Sequence, residues 1–328
     1  MKPHRLLIAT LPTRIEQIKE GYFPSDKAVF LKRDDETGAE FSGNKVRKLE
    51  FSVREALDNQ CDTLITCGGI QSNHARSTAA VAAKLGLACH LFLRTDQRLH
   101  PQGNYLLDEM LGAKIHIITA DEYRHHRHDL MKELQKRLAE TGKKAYIIPE
   151  GASNPIGTFG YFHAFEEILE QEKMYDVHFD TIVCAVGSGG TYAGLVYANS
   201  YHKADRKILG VNVCDSAEFF KKVTMDMLEG FEEYLGEKLT LSKEELHILD
   251  GHVGRGYALN TPTEMDFIRD FAKSTGVVLD PVYSGKAMIG LWQALKDNSP
   301  VLSSSQNILF IHTGGLFGLF PKAEEFEF

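Results

Sequence analysis

Three positively charged residues lie close together near the start of this sequence. The turn Ser42-Gly43-Asn44 leads to Lys45. Arg47 and Lys48 follow, and apolar residues recur at helical spacing, at Val46, Leu49, Val53, Ala56 and Leu57. The positive end of the helix dipole disfavours cations at a helix start. The same dipole and the positive neighbours lower the pKa of an amine, and a Schiff-base lysine requires a neutral amine. We therefore predict a reactive Lys45, with a solvated basic turn near a phosphate as the alternative.

A second stretch could bind an anion. Gly187-Ser188-Gly189-Gly190-Thr191 follows a continuously apolar strand and precedes a predicted helix. Backbone N–H groups at such a turn bind phosphate, and glycines allow the phosphate to approach the backbone. No Gly-Lys-Ser/Thr ends the loop, which excludes a phosphate-loop NTPase, and Tyr192 replaces the third glycine of a dinucleotide fingerprint. We favour a phosphate site over a plain tight turn.

Two further turns carry hydroxyl and amide side chains before predicted helices. In Gln71-Ser72-Asn73-His74, Ser72 could cap the helix or bind a carboxylate, and Asn73 can both donate and accept hydrogen bonds. In the stretch from Asp280 to Lys286, Tyr283 could donate a proton or contact a ligand ring, and Ser284 could be an N-cap. Two more candidate loops are His312-Thr313-Gly314-Gly315 and Gly254-Arg255-Gly256-Tyr257.

A histidine group is the one feature that suggests a metal. His125, His126 and His128 fall in a highly charged stretch predicted to be one helix, where His125 and His128 would share a face. Such a face is more often solvated, so no metal site is predicted.

The composition is that of a globular protein with a large core. The chain has 328 residues, of which 43% are hydrophobic and 25% charged, and its net charge of −8 argues against nucleic acid or an anionic membrane as partner. Its five cysteines contain no Cys-x-x-Cys pair, which predicts reduced thiols in a cytoplasmic protein. The apolar run that follows the first residues is too short for a secretory signal, and no stretch is long and apolar enough to span a membrane.

Strands and helices alternate along the chain, which predicts an α/β fold with parallel sheets covered on both faces. The predicted strands are 28–31, 64–66, 89–93, 114–118, 145–148, 181–186, 208–213, 277–279 and 308–311. The predicted helices follow the lysine turn and cover 75–85, 105–111, 123–138, 157–171, 217–235, 264–274 and 284–295, with another after the phosphate loop. Ligands in such folds bind beyond the carboxyl ends of the strands, where the glycine-rich turns lie.

A reactive lysine, a phosphate loop and polar turns between them suggest one cofactor. Pyridoxal 5′-phosphate requires a lysine for its aldehyde and a cup for its phosphate. A nucleotide-binding module would use the loop without the lysine.

With these residues assembled, the chain resembles the tryptophan-synthase-β-like, fold type II pyridoxal-phosphate enzymes. The resemblance runs from about Lys32 to Gly315, and the stretches that carry it are Lys32-Arg33-Asp34-Asp35, Gly43-Asn44-Lys45-Val46-Arg47-Lys48-Leu49-Glu50, Gly68-Gly69-Ile70-Gln71-Ser72-Asn73-His74 and Asp280-Pro281-Val282-Tyr283-Ser284-Gly285-Lys286-Ala287. It implies a homodimer of chains with two three-layer αβα lobes and mainly parallel twisted sheets. The large lobe would comprise 1–50 and 156–328, and the small lobe 51–155.

The resemblance also implies roles for individual residues. Lys45 would bind the cofactor covalently, with further cofactor contacts from Asn73, Gly187, Ser188, Gly189, Gly190, Thr191 and Ser284. The substrate would meet Ser72, Asn73, His74, Tyr257, Tyr283 and Thr313, and the catalytic residues would be Lys45, Ser72 and Tyr283. The Asn260-Thr261-Pro262 stretch after Tyr257 departs from the usual family pattern.

Within the family, the chain resembles the branch of 1-aminocyclopropane-1-carboxylate deaminase and D-cysteine desulfhydrase. The deaminases place glutamate at the position of Ser284 and leucine at that of Thr313. A carboxylate keeps the cofactor ring nitrogen protonated and makes the ring a strong electron sink, whereas a neutral serine does not. A weaker sink suffices when thiolate leaves the β-carbon.

The resemblance therefore predicts α,β-elimination from D-cysteine, or a related β-substituted D-amino acid, to pyruvate, ammonia and hydrogen sulfide. One alternative is deamination of 1-aminocyclopropane-1-carboxylate to 2-oxobutanoate and ammonia. The other is a non-catalytic ligand-binding protein on the same fold.

Overall fold

The computed structural model describes residues 2–24, 26–96 and 100–328. Met1, Ser25 and residues 97–99, which belong to the predicted lobes, lie outside the described residues. The strands in chain order are β1 (Ile15–Gln17), β2 (Ala28–Lys32), β3 (Thr63–Gly69), β4 (Ala88–Arg94), β5 (Lys114–Ile118), β6 (Ala145–Ile147), β7 (Thr181–Val186), β8 (Lys207–Asn212), β9 (His247–Leu249) and β10 (Asn307–Ile311).

These strands form two sheets. The larger has the order β1-β2-β10-β7-β8-β9, and the smaller the order β5-β4-β3-β6. All pairs are parallel except β1 with β2. The smaller sheet uses only strands from Thr63 to Ile147. We therefore keep 51–155 as the proposed small lobe, and 1–50 with 156–328 as the proposed large one.

The α-helices lie between these strands. In chain order they are α1 (Lys45–Asp58), α2 (Asn73–Leu85), α3 (Gly103–Met110), α4 (Ala120–His125), α5 (Arg127–Glu140), α6 (Pro155–Tyr175), α7 (Gly190–His202), α8 (Ala217–Leu235), α9 (Pro262–Thr275) and α10 (Ser284–Lys296). Among the described residues, no helix has the length and apolar character needed to cross a membrane.

Each sheet is packed on both faces. In β7, Ile182 and Cys184 enter a core with the aromatic residues of α6, α7 and α8, whereas the alternate Val183 and Ala185 pack against α9 and α10. In the smaller sheet, Leu64 faces a core with α1 and α2, and its neighbour Ile65 faces α4 and α5. This alternation confirms the predicted αβα layers and explains why the strands are apolar throughout.

Three predictions of secondary structure were wrong. Residues 277–279 form no strand and pair with none among the described residues. The short strands β1 and β9 were missed, because three residues carry too little pattern.

The helix predicted over 123–138 is two helices. A Thr119–Glu122 capping box starts the first, and His126, with φ of −126°, separates it from the second. His125 and His128 therefore lie on different helices.

Candidate active site

One cavity lies where the carboxyl ends of β7 and β10 meet the starts of α1, α2 and α7. It is lined by Asn44, Lys45, Asn73, Ala185, Gly187, Ser188, Gly189, Thr191, Tyr192, Tyr283 and Thr313. The reactive lysine, the predicted phosphate loop and the asparagine turn thus meet at one place, although they come from distant parts of the chain.

Lys45 is the first residue of α1 and is buried. Burial lowers the pKa of its amine to about 8, against an opposing effect of the Glu150 carboxylate. Its Nζ lies 5.9 Å from the ring centroid of Tyr283. Burial, rather than the helix dipole alone, thus raises the neutral fraction of this amine near physiological pH well above that of an exposed lysine.

The other two cations of the turn have different environments. Arg47 is buried in ion pairs with Asp34 at 2.8 Å and Glu167 at 3.0 Å, so it stabilises the fold. Lys48 is also buried, and its Nζ lies 3.3 Å from Ser153 Oγ. Burial, followed by the charge of Lys45, holds the pKa of Lys48 well below its usual range.

The loop after β7 presents unpaired backbone donors to the cavity. Within the described part of the chain, the N–H groups of Gly187, Ser188 and Gly189 have no hydrogen-bond acceptor. Ser153 Oγ braces the loop by accepting from the Gly190 N–H at 3.1 Å and donating to Ser188 Oγ at 2.8 Å. Such amides at the start of a helix fit a phosphate, and the neighbouring lysine fits an aldehyde, so the residues fit pyridoxal phosphate.

Only glycine fits the backbone at position 189. Its φ is +86°, and a Cβ added there would lie 2.9 Å from Val223 Cγ1. A side chain at this position would force the loop to shift, because left-handed backbone and close packing coincide.

Asn44 connects three parts of the site and was missed as a site residue. Its Nδ2 donates to Thr191 Oγ1 at 2.9 Å, and its backbone N–H donates to the carbonyl of Thr313 at 3.2 Å. The lysine turn, the phosphate loop and the turn after β10 are therefore held together. Asn44 directly precedes Lys45 in the stretch from Gly43 to Glu50 that resembles the family, and this position could have identified it.

The orientation of the Asn73 amide is set by a hydrogen-bond chain. Asn73 Oδ1 accepts from Asn104 Nδ2 at 2.9 Å, and Asn104 Oδ1 accepts from Arg76 Nε at 3.1 Å. Asn104 Nδ2 also donates to the carbonyl of Gln71 at 3.0 Å. Asn73 therefore has its Nδ2 group available to donate into the cavity. Asn104 belongs to α3, and no sequence pattern connects it to the site.

Ser72 and His74 do not line this cavity. Ser72 Oγ accepts from the Ala75 N–H at 3.1 Å and is the N-cap of α2. His74 is buried with Nε2 2.8 Å from Thr66 Oγ1, and burial holds its pKa well below the usual range. Thr66 donates its own proton to the carbonyl of Ile148, so His74 donates from Nε2 and is neutral.

Tyr257 reaches the site through Tyr283. The two hydroxyl oxygens lie 2.6 Å apart. Burial raises the pKa of Tyr257 to about 12 and that of Tyr283 well above its usual range. The unusual Asn260-Thr261-Pro262 stretch begins α9, with Thr261 as its N-cap and Asn260 Nδ2 bonded to the carbonyl of Pro281 at 2.7 Å. The departure from the family pattern thus leaves Tyr257 beside Tyr283.

Ser284 is fully buried and is not among the residues that line the cavity, although its neighbour Tyr283 is. Its hydroxyl donates to Asp280 Oδ1 at 2.6 Å and accepts from the Asp280 N–H at 2.8 Å. Asp280 Oδ2 also accepts from the N–H groups of Val282 and Tyr283, both at 3.0 Å. Ser284 is neutral, as expected, but its proton is directed at a carboxylate, which the sequence did not indicate.

Across residues 2–24, 26–96 and 100–328, no cluster of three or more His, Cys, Asp or Glu side chains could hold a metal ion. All five cysteines are free thiols.

Comparisons with known proteins place the chain in a family. Residues 9–314 match the family model described as pyridoxal-phosphate dependent enzyme. The chain is 42% identical to the "Bifunctional D-cysteine desulfhydrase/1-aminocyclopropane-1-carboxylate deaminase, mitochondrial" of Arabidopsis thaliana, over 98% of this chain and 80% of that protein. It is 35% identical to "D-cysteine desulfhydrase" of Salmonella paratyphi A, over 96% of this chain and 95% of that one.

The fold is also similar to solved structures. The chain superposes on the crystal structure of an "ACC deaminase homologue" with a TM-score of 0.88 at 34% identity, covering 99% of this chain and 95% of that one.

Proposed function

This chain belongs to the family of pyridoxal-phosphate-dependent enzymes and shares their lyase chemistry, and we propose that it is a D-cysteine desulfhydrase. The reaction eliminates thiolate from the β-carbon and, with one water, gives pyruvate, ammonia and hydrogen sulfide. The observation that carries the proposal is the placement of the Lys45 amine and the unpaired amides of 187–189 in one cavity.

We assign the cofactor contacts as follows. The Lys45 amine would hold the aldehyde, and the 187–191 loop the phosphate. The Lys48 amine contacts Ser153, the residue that braces that loop. Asn73 Nδ2 would donate to the cofactor ring. When bound, pyridoxal phosphate supplies an aldehyde for amines and a ring that withdraws electrons.

Proton transfer is assigned to Lys45 and Tyr283. Because burial lowers the pKa of Lys45 to about 8, its amine can accept a proton from the substrate α-carbon at neutral pH. The Tyr283 hydroxyl stays protonated, since burial raises its pKa, and it can donate a proton at the departing sulfur. Its contact with Tyr257 gives it a second proton source.

The serine and threonine hydroxyls are assigned to the substrate. Ser72 Oγ accepts from the Ala75 N–H, so its own proton can be donated to the substrate carboxylate. Thr313 contributes a hydroxyl to the cavity wall, where the related deaminases have leucine. We expect this smaller, polar side chain to accommodate a thiol-bearing substrate.

Deamination of 1-aminocyclopropane-1-carboxylate is the second candidate, and one observation favours it. The Ser284 hydroxyl donates to the Asp280 carboxylate. This chain therefore also has a carboxylate close to the position where the deaminases have glutamate, and the two sites differ less in charge than the serine alone indicates. The substrate choice therefore depends more on Thr313 than on Ser284.

A 2-oxo acid release assay tests the proposal. The purified holoenzyme is supplied in turn with D-cysteine, L-cysteine, β-chloro-D-alanine and 1-aminocyclopropane-1-carboxylate. We expect pyruvate from D-cysteine and β-chloro-D-alanine. Turnover of the cyclopropane alone would assign the deaminase, and cofactor binding without turnover of any substrate would assign a ligand-binding protein.

We further propose that the protein is a cytoplasmic homodimer. Five free cysteines suit a reducing compartment, and homodimers are usual in the resembling family. Light scattering on the holoenzyme would give twice the mass of one chain, and a monomer mass would contradict the dimer. Cell fractionation would test the compartment, and recovery in a membrane or secreted fraction would contradict it.

A further inference from the structure

Arg94 has an unusual environment at the carboxyl end of β4. Its guanidinium lies over the rings of Tyr123 at 4.9 Å and Tyr257 at 5.7 Å from their centroids. Within the described part of the chain, it makes no hydrogen bond and no ion pair. The side chain is only partly exposed.

This environment leaves the donors of the guanidinium without an acceptor from the described part of the protein and open to a ligand. A guanidinium has five N–H donors in a planar fork. Two aromatic faces hold the plane of the group, but they satisfy none of those donors. A carboxylate is the acceptor that matches the fork, because it can accept two parallel hydrogen bonds.

Arg94 also lies beside the proposed active site. In the parallel sheet it pairs with Gly69, which begins the turn that leads to Asn73. A Cβ on Gly69 would lie 3.8 Å from the Tyr257 ring that Arg94 covers. Tyr257 in turn bonds to Tyr283, which lines the cavity with Lys45.

The Glu150 carboxylate does not neutralise Arg94 directly. Burial raises the pKa values of Tyr123, Tyr257 and Tyr283, and the Glu150 carboxylate adds to each shift. Among the described residues, no ion pair joins Glu150 to Arg94. The guanidinium therefore keeps its charge available to a ligand that enters beside Tyr257.

We propose that Arg94 binds a carboxylate of the amino-acid substrate. This inference rests on the proposed function, which it extends by adding a residue that decides substrate affinity. The carboxylate can come from two sources: the α-carboxylate that every amino acid has, or a second carboxylate on the β-substituent.

The test compares Arg94→Gln with a matched control in the same cluster. Arg127 also lies 4.9 Å from the Tyr123 centroid, but it donates to the Tyr123 carbonyl and has no contact with Tyr257. Arg127→Gln thus removes a stacking arginine from the same ring without removing the proposed ligand contact. Arg94→Lys keeps the charge and removes the fork.

Each variant is measured with β-chloro-D-alanine, which has one carboxylate, and S-carboxymethyl-D-cysteine, which has two. Holoenzyme binding is followed by the change in visible absorbance, and turnover by 2-oxo acid release. We expect Arg94→Gln to raise KM about 10- to 100-fold with a small change in kcat, Arg94→Lys to restore part of the affinity, and Arg127→Gln to retain wild-type KM.

The pattern across substrates identifies the source. An equal loss for both substrates assigns the α-carboxylate, and a loss for S-carboxymethyl-D-cysteine alone assigns the second one. Wild-type binding of both substrates by a folded Arg94→Gln variant overturns the inference, as does an equal loss in Arg127→Gln. If the wild type binds these compounds without turnover, the proposed function fails, and the dissociation constants still decide the role of Arg94.

Discussion

Asn104 should control cofactor affinity although it lies outside the cavity. Asn104→Asp preserves the shape of this buried side chain and the acceptor that faces Arg76 Nε. It replaces the NH₂ group that donates to Asn73 Oδ1 and to the Gln71 carbonyl with an oxygen. Two oxygens 2.9 Å apart repel each other, so the Asn73 amide should rotate and present its oxygen, instead of its NH₂ group, to the cavity.

The magnitude follows from the contacts that change. A neutral hydrogen bond contributes about 1 kcal/mol net, and leaving a polar group facing the wrong partner costs about 1–3 kcal/mol. Cofactor binding should therefore weaken about 10- to 100-fold. The fold should lose less, because the new carboxylate would pair with Arg76, which forms no ion pair in the described residues.

The assay is titration of apo-protein with pyridoxal phosphate, followed by visible absorbance. Asn199→Asp is the matched control. Asn199 is also an asparagine that both donates and accepts, with the backbone of Arg206, but it lies at the other end of α7 from the cavity. A folded Asn104→Asp variant with wild-type cofactor affinity would refute the reasoning, as would an equal loss in Asn199→Asp.

Four further predictions follow from single residues. Lys45→Ala should remove the visible absorption of bound cofactor at unchanged circular dichroism, and a retained band would place the cofactor elsewhere. Ser72→Ala should lower the unfolding free energy by about 1 kcal/mol through loss of the α2 cap and should lower kcat/KM with the band retained; unchanged kcat/KM would exclude a role for the hydroxyl in turnover. Gly189→Leu should weaken cofactor binding, because its φ of +86° and the 2.9 Å approach to Val223 require glycine; wild-type affinity would place the phosphate elsewhere. Burial lowers the pKa of His90 to about 4, whereas the unfolded chain binds that proton below about pH 6.5, so stability should fall as pH drops between these values. Urea unfolding of His90→Phe should show a smaller fall over that range, and an identical pH profile would contradict the assignment.

Much of the fold could be predicted from local pattern. A strand covered on both faces must be apolar throughout, and Thr181–Val186 is such a strand, so its position was predictable. Lys45 at a helix start and the small residues after β7 were recognisable because turns and caps depend on neighbouring residues. The strands β1 and β9 were not, because each has three residues and is defined by its partner strand.

Long-range contacts decided the character of the site. Arg47 and Lys45 are two residues apart in the sequence, yet Arg47 pairs with Glu167, 120 residues away, and only Lys45 lines the cavity. Asn104 orients Asn73 across 31 residues. The sequence by itself determined which turns could bind a cofactor, since that ability depends on residue type and spacing. The tertiary structure decided which donors remain unpaired and which amines are buried, because hydrogen bonding and desolvation depend on partners that no local pattern specifies.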